Sequence, residues 1–151
     1  MADVDATIVS NRNATPRVAN DPWTNAKLKT SGPGILEVST SEDAADILSF
    51  CIIPSNATVK QVLLSCDAVS TSGAMDIGIY QTDDNGGAVV DADFFASAQV
   101  VTSALSNSDV THESGVYGIE DKNKPLWEAL GLSEDSQRDY VVAGTITTGR
   151  S

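Results

Sequence analysis

The chain of 151 residues carries 9 Lys+Arg against 21 Asp+Glu, a formal net charge of −12, with 41% apolar and 20% charged residues. That is apolar material for a real core and length for one domain, or one domain and an arm, which excludes global disorder. No apolar run approaches the roughly 18 residues of a membrane-spanning helix, and so acidic a balance argues against duplex DNA or RNA as the main partner. Met1 to Ser10 hold neither a cation nor an apolar block, so no secretory signal is expected.

Charge is distributed unevenly. Residues 1–29 carry +1, from Arg12, Arg17, Lys27 and Lys29 against three aspartates. Residues 30–121 hold 14 acids against Lys60 alone, a net of −13, and residues 122–151 are neutral. The first 33 residues show no sustained period and are broken by Pro16 and Pro22. They read as an extended N-terminal arm, 1–33, able to reach about 110 Å at ~3.3 Å per residue. Val18 and Trp23 are expected to order that arm against another surface. Residues 34–151 then form the β domain.

From Gly34 the pattern is β. A first strand is expected at Ile35 to Thr40. A nearly continuous apolar run, Ile47 to Ile53, stops at Pro54 and suits a strand covered on both faces. Thr58 to Val69 reads as one long strand. Met75, Ile77 and Ile79 alternate with Asp76, Gly78 and Tyr80, a period of two with one face inward. Asp83-Asp84-Asn85-Gly86-Gly87 is a hairpin turn. After Val89-Val90, residues 91–97 read as one helical turn with Asp91 at its start. Residues 106–121 read as a polar loop. Asn123 to Gly131 reads as a short helix, with Asn123 as N-cap, Pro125 in the first turn and Gly131 as its stop. Tyr140 to Thr147 closes the chain as a strand. Six to eight short strands without βαβ alternation predict an all-β, single-domain β-sandwich, jelly-roll-like, with one or two short helices.

Few residues are suited to chemistry. Cys51 and Cys66 with His112 are too few for a structural zinc site, and no C-x-x-C occurs. Both cysteines read as buried free thiols, with a disulfide between neighbouring strands as the alternative. His112 is the only imidazole and reads as an exposed loop residue, so no acyl-transfer triad is expected. Asp91 and Asp93, or Asp83 and Asp84, supply paired carboxylates by number alone. The same residues with Asn85 offer oxygen ligands for calcium, yet lack EF-hand spacing. No phosphate-binding glycine motif is present. The expectation is therefore no enzyme, no cofactor and no metal.

Two stretches carry a family resemblance: Ser72 to Tyr80 followed by Asn85 to Ala98, and Leu126 to Leu132 followed by Tyr140 to Thr147. Together they resemble the head decoration (cement) proteins and related small virion proteins of tailed bacteriophages, over about residues 35–147. The resemblance transfers no active site. It implies a virion structural protein, made in the host cytoplasm and sitting on the outer capsid surface as a homotrimer. Its partners would be itself and the major capsid protein, with no nucleic acid and no membrane. An acidic body suits a particle that must not bind the genome. In the near-neutral arm, Arg12, Arg17, Lys27 and Lys29 are the candidates for pairing with acids, at about 0–1 kcal/mol each. Val18 and Trp23 are the candidates for apolar burial, at about 25 cal/mol per Å². The alternative is a receptor- or glycan-binding fibre-like module, in which Trp23, Tyr80, Tyr117 and Trp127 would stack on sugars.

Overall fold

Apolar, β-branched runs punctuated by Pro, Asn and Gly pair antiparallel wherever a short turn folds one run back on another. The computed structural model describes residues 15–16, 34–38, 44–69 and 73–148. Among them lie six strands: β1 (Ile47–Pro54), β2 (Leu63–Cys66), β3 (Ala74–Gln81), β4 (Val89–Val100), β5 (Leu105–Asp109) and β6 (Asp139–Thr148). One helix, α1 (Leu126–Ala129), and 3-10 turns at Asp83–Asn85 and Ile119–Asn123 complete the regular structure. Every pairing is antiparallel. The order β1-β6-β3-β4 makes a four-stranded sheet, and β2-β5 a two-stranded one. The fold is all-β, as the strand pattern predicts, and its two sheets form a sandwich-like pair over one core.

Met75, Ile77 and Ile79 of β3, Val142 and Ile146 of β6, and Leu48 and Ile53 of β1 fill that core from the larger sheet. Leu64, Cys66 and Leu105 pack against it from the smaller one. Phe94, Phe95 and Tyr117 meet there, with ring centroids 5.0 to 5.4 Å apart.

Two coverings are the reverse of expectation. The alternating strand β3 is buried on both faces near its end, because Gly78 and Tyr80 are covered as well. A Cβ at residue 78 would overlap the Asp91 carbonyl oxygen of β4, and the Tyr80 hydroxyl bonds Thr145 Oγ1 on β6. Conversely, the continuous apolar run of β1 leaves Ile47 and Ile52 more than half exposed. β1 lies at one end of the sheet order, whereas β3 lies between β6 and β4.

The helical turn expected at 91–97 is strand. In β4, Ala92 to Phe95 bulge opposite the single residue Gly78, between the pairs Ile77–Ala96 and Ile79–Asp91. The excursion drives both Phe94 and Phe95 into the core. Their carbonyls accept from Tyr117 N (3.1 Å) and Ser114 N (3.0 Å). Other boundaries shift too. Residues 34–38 form no strand, and 39–40 lie outside the described residues. The strand expected over 58–69 pairs only at Leu63–Cys66. The expected polar loop contains β5 and a 3-10 turn. Pro125, not Asn123, is the N-cap of α1, and Asn123 closes the preceding 3-10 turn. Lacking a side-chain cap, α1 donates its first amides to the 55–57 turn: Leu126 N to Ala57 O (2.7 Å) and Trp127 N to Ser55 O (3.0 Å). Gly131 adopts φ +74° as the expected stop.

Both sheets share one local device. Opposite Asp76, β4 carries the extra residue pair Ser97-Ala98; opposite Ser65, β5 carries Ser106-Asn107. Ala98 and Asn107 are left-handed, at φ 51° and 52°. Each donates its amide to the side chain it faces: Ala98 N to Asp76 Oδ1 (2.6 Å) and Asn107 N to Ser65 Oγ (2.8 Å). The acceptor satisfies an N–H that the bulge removes from the ladder.

Candidate functional site

The segment after β5 is held by side-chain hydrogen bonds as well as by backbone ones. Asp109 accepts from Thr111 N (3.0 Å) and Thr111 Oγ1 (2.5 Å) on one oxygen and from Gln61 Nε2 (2.9 Å) on the other. These bonds, from Thr111 first and then Gln61, hold its carboxyl down to about 2. Thr111 Oγ1 in turn accepts from Val62 N (2.8 Å). His112 is not an exposed loop residue: it is half-buried and stacked on Tyr117, with centroids 5.4 Å apart and planes within 8°. Its Nδ1 lies 2.7 Å from the Tyr117 carbonyl oxygen, which can only accept. The proton therefore sits on Nδ1. Nε2 is buried without a hydrogen-bond partner among the described residues.

Tyr117 is buried among Phe94 and Phe95, and its hydroxyl lies 2.6 Å from Val59 O and 3.1 Å from Asp121 O. Burial pushes its phenol up to about 12. Asp121 accepts from Lys124 Nζ (2.7 Å) and Gly118 N (2.9 Å). The lysine hydrogen bond holds its carboxyl below the usual range. The phenol, this carboxylate and Nδ1 of the histidine are thus engaged in hydrogen bonds of the fold.

Two open grooves flank this framework. The first, about 330 Å³, is lined by Ser55, Asn56, Asp135, Arg138 and Asp139 among others. Ser55 Oγ donates to Asp135 Oδ1 (2.5 Å), which holds that carboxyl low. No histidine lines this groove, so the serine has no imidazole base there. The second, about 490 Å³, is lined by Lys60, Gln61, Ile119, Lys122 and Asn123. Lys60 Nζ donates to Lys122 O (2.6 Å) and Asn123 Oδ1 (2.7 Å), pinning the 3-10 turn to the segment before β2. Ile119 stands 74% exposed beside the two ammonium groups. Among the described residues the only ion pair is Lys124–Asp121, so neither groove lysine is neutralised by one.

The arm candidates Arg12, Arg17, Val18, Trp23, Lys27 and Lys29 lie outside the described residues. Cys51 and Cys66 are unbridged and half-buried, on strands of different sheets. Asp83 and Asp84 sit exposed on the hairpin turn, while Asp91 and Asp93 lie on β4. Burial and the neighbouring Asp93 raise the carboxyl of Asp91. Among the described residues no three His, Cys, Asp or Glu side chains converge as a metal site would need. Of the proposed sugar-stacking rings, Tyr80 and Tyr117 are buried and Trp127 is half-buried. Sequence reasoning missed the Lys60–Lys122 groove. Its one signal was the isolation of Lys60 as the sole cation between residues 30 and 121.

No family model, curated protein or solved structure matches the chain.

Proposed function

We propose that the chain is a non-enzymatic virion structural protein. It would decorate the outside of a tailed-phage capsid as a homotrimer and reinforce the head through the major capsid protein. The observation that carries this reading is an acidic β scaffold whose strands present aliphatic side chains to solvent. Val89 and Val100 stand more than half exposed on β4, and Leu63 does so on β2. Exposed aliphatics at a sheet margin favour contact with other protein chains, while a body charge of −13 over residues 30–121 repels nucleic acid. The stretches that resemble decoration proteins fall on β3, the hairpin, β4, α1 and β6, so they include three of the four strands of the larger sheet.

The test is light scattering of the purified chain, followed by cosedimentation with undecorated heads of the phage that encodes it. The expected mass is three times 15.8 kDa, with saturable binding to heads. A monomer that ignores the heads overturns the reading.

A further inference from the structure

We infer that the groove of Lys60, Lys122 and Ile119 is a socket for the β3–β4 hairpin tip of a second copy of this chain. The inference rests on the homotrimer reading and gives it a specific interface. Across residues 30–121 the chain has one cation, and that cation lies in this groove together with Lys122. Lys60 fixes the groove wall through Lys122 O and Asn123 Oδ1, leaving both ammonium charges without an ion pair among the described residues. Asp109 lies close enough to feel Lys122, but its oxygens are already taken by Thr111 and Gln61. The groove is thus a net positive, partly apolar spot on a negative surface.

The hairpin tip is its chemical complement. Asp83 and Asp84 are exposed on the 3-10 turn and bear no ion pair among the described residues. Val89 and Val90 stand exposed just beyond it. The tip is rigid before any encounter. Asn85 N and Gly87 N both bond Thr82 O, Gly86 N bonds Asp83 O, and Asn85 Nδ2 bonds Thr82 Oγ1. A preorganised projection loses little freedom on docking. Carboxylates would meet the two lysines while Val89 meets Ile119. Because socket and projection are different surfaces, the contact is head-to-tail, the type that closes a ring when its rotation divides the circle.

The experiment uses the full chain and follows mass by light scattering over a dilution series, with circular dichroism confirming the fold of each variant. Lys122→Glu is the groove variant, since no hydrogen bond among the described residues uses its ammonium; Asp84→Lys is the tip variant. Each single reversal is expected to raise the concentration at which the oligomer dissociates at least tenfold. The two together are expected to restore it to within about threefold of the parent. A folded single variant that keeps the parent's dissociation point, or a double variant that fails to recover, overturns the socket. So does a Lys122→Glu protein that stays trimeric but loses head binding, since it assigns the groove to the capsid while leaving decoration intact. Charge-swap recovery in a protein that never binds heads supports the socket and removes the capsid reading instead.

Discussion

Tyr117 joins three parts of the chain through one residue. Its ring packs on Phe94 and Phe95, its amide bonds the bulge of β4, and its hydroxyl serves the carbonyls of Val59 and Asp121. Tyr117→Phe keeps the ring and leaves those carbonyls without their donor, at a cost of about 1–3 kcal/mol. Urea denaturation should show the midpoint falling with an unchanged slope. Asp109 contributes to the acid limb. Its folded carboxyl, at about 2, lies below the unfolded value of about 3.9. The folded state therefore binds that proton more weakly. Its stabilising contribution is complete above about pH 4 and disappears as pH falls towards 2. Asp109→Asn should lower the melting temperature at pH 7 and flatten its decline below pH 4. Asp109 is exposed, so the effect is a shallow one.

Bulges decide what could be read from sequence at the level of elements. β3 and β6 were legible because apolar residues recur in runs bounded by Gly, Pro and polar turns. The hairpin was legible because Gly86 and Gly87 take positive φ, at 97° and 63°. β4 was not. Asp91-Ala92-Asp93 has weak strand propensity, and the bulge opposite Gly78 turns two consecutive phenylalanines inward, which erases the period of two. β5 was hidden for another reason: Ser106, Asn107 and Ser108 carry no apolar signal, and their strand exists through pairing with β2. The lysine groove was equally invisible, since Lys60 and Lys122 meet across 62 positions of chain. Ala98 offers a direct test of the bulge device. A left-handed alanine carries a backbone penalty that glycine avoids. Ala98→Gly should therefore raise stability by about 0.5–1 kcal/mol by calorimetry. Asp76→Ala, which removes the acceptor of that amide, should lower it.

For the molecule as a whole, charge separates the chain into an acidic middle and two neutral or slightly basic ends. If the capsid reading holds, the residues before the β domain supply part of the grip. Deleting residues 1–29 should then weaken trimer formation or head binding, measured by dilution light scattering and cosedimentation. A truncated chain that assembles and binds like the parent would confine both contacts to the β body. Several modest contacts per trimer would combine by avidity, so moderate loss at one contact becomes a large loss on a head.

Gly34 makes a close backbone contact with β1. Residue 34 lies flat against the backbone of Phe50, the extra residue in the β1 bulge, and a Cβ built there comes within 2.6 Å of the Phe50 carbonyl carbon. Any larger residue would pry the chain away from the sheet at this junction. The missing carbon thus lets two backbone segments touch where any side chain would hold them apart.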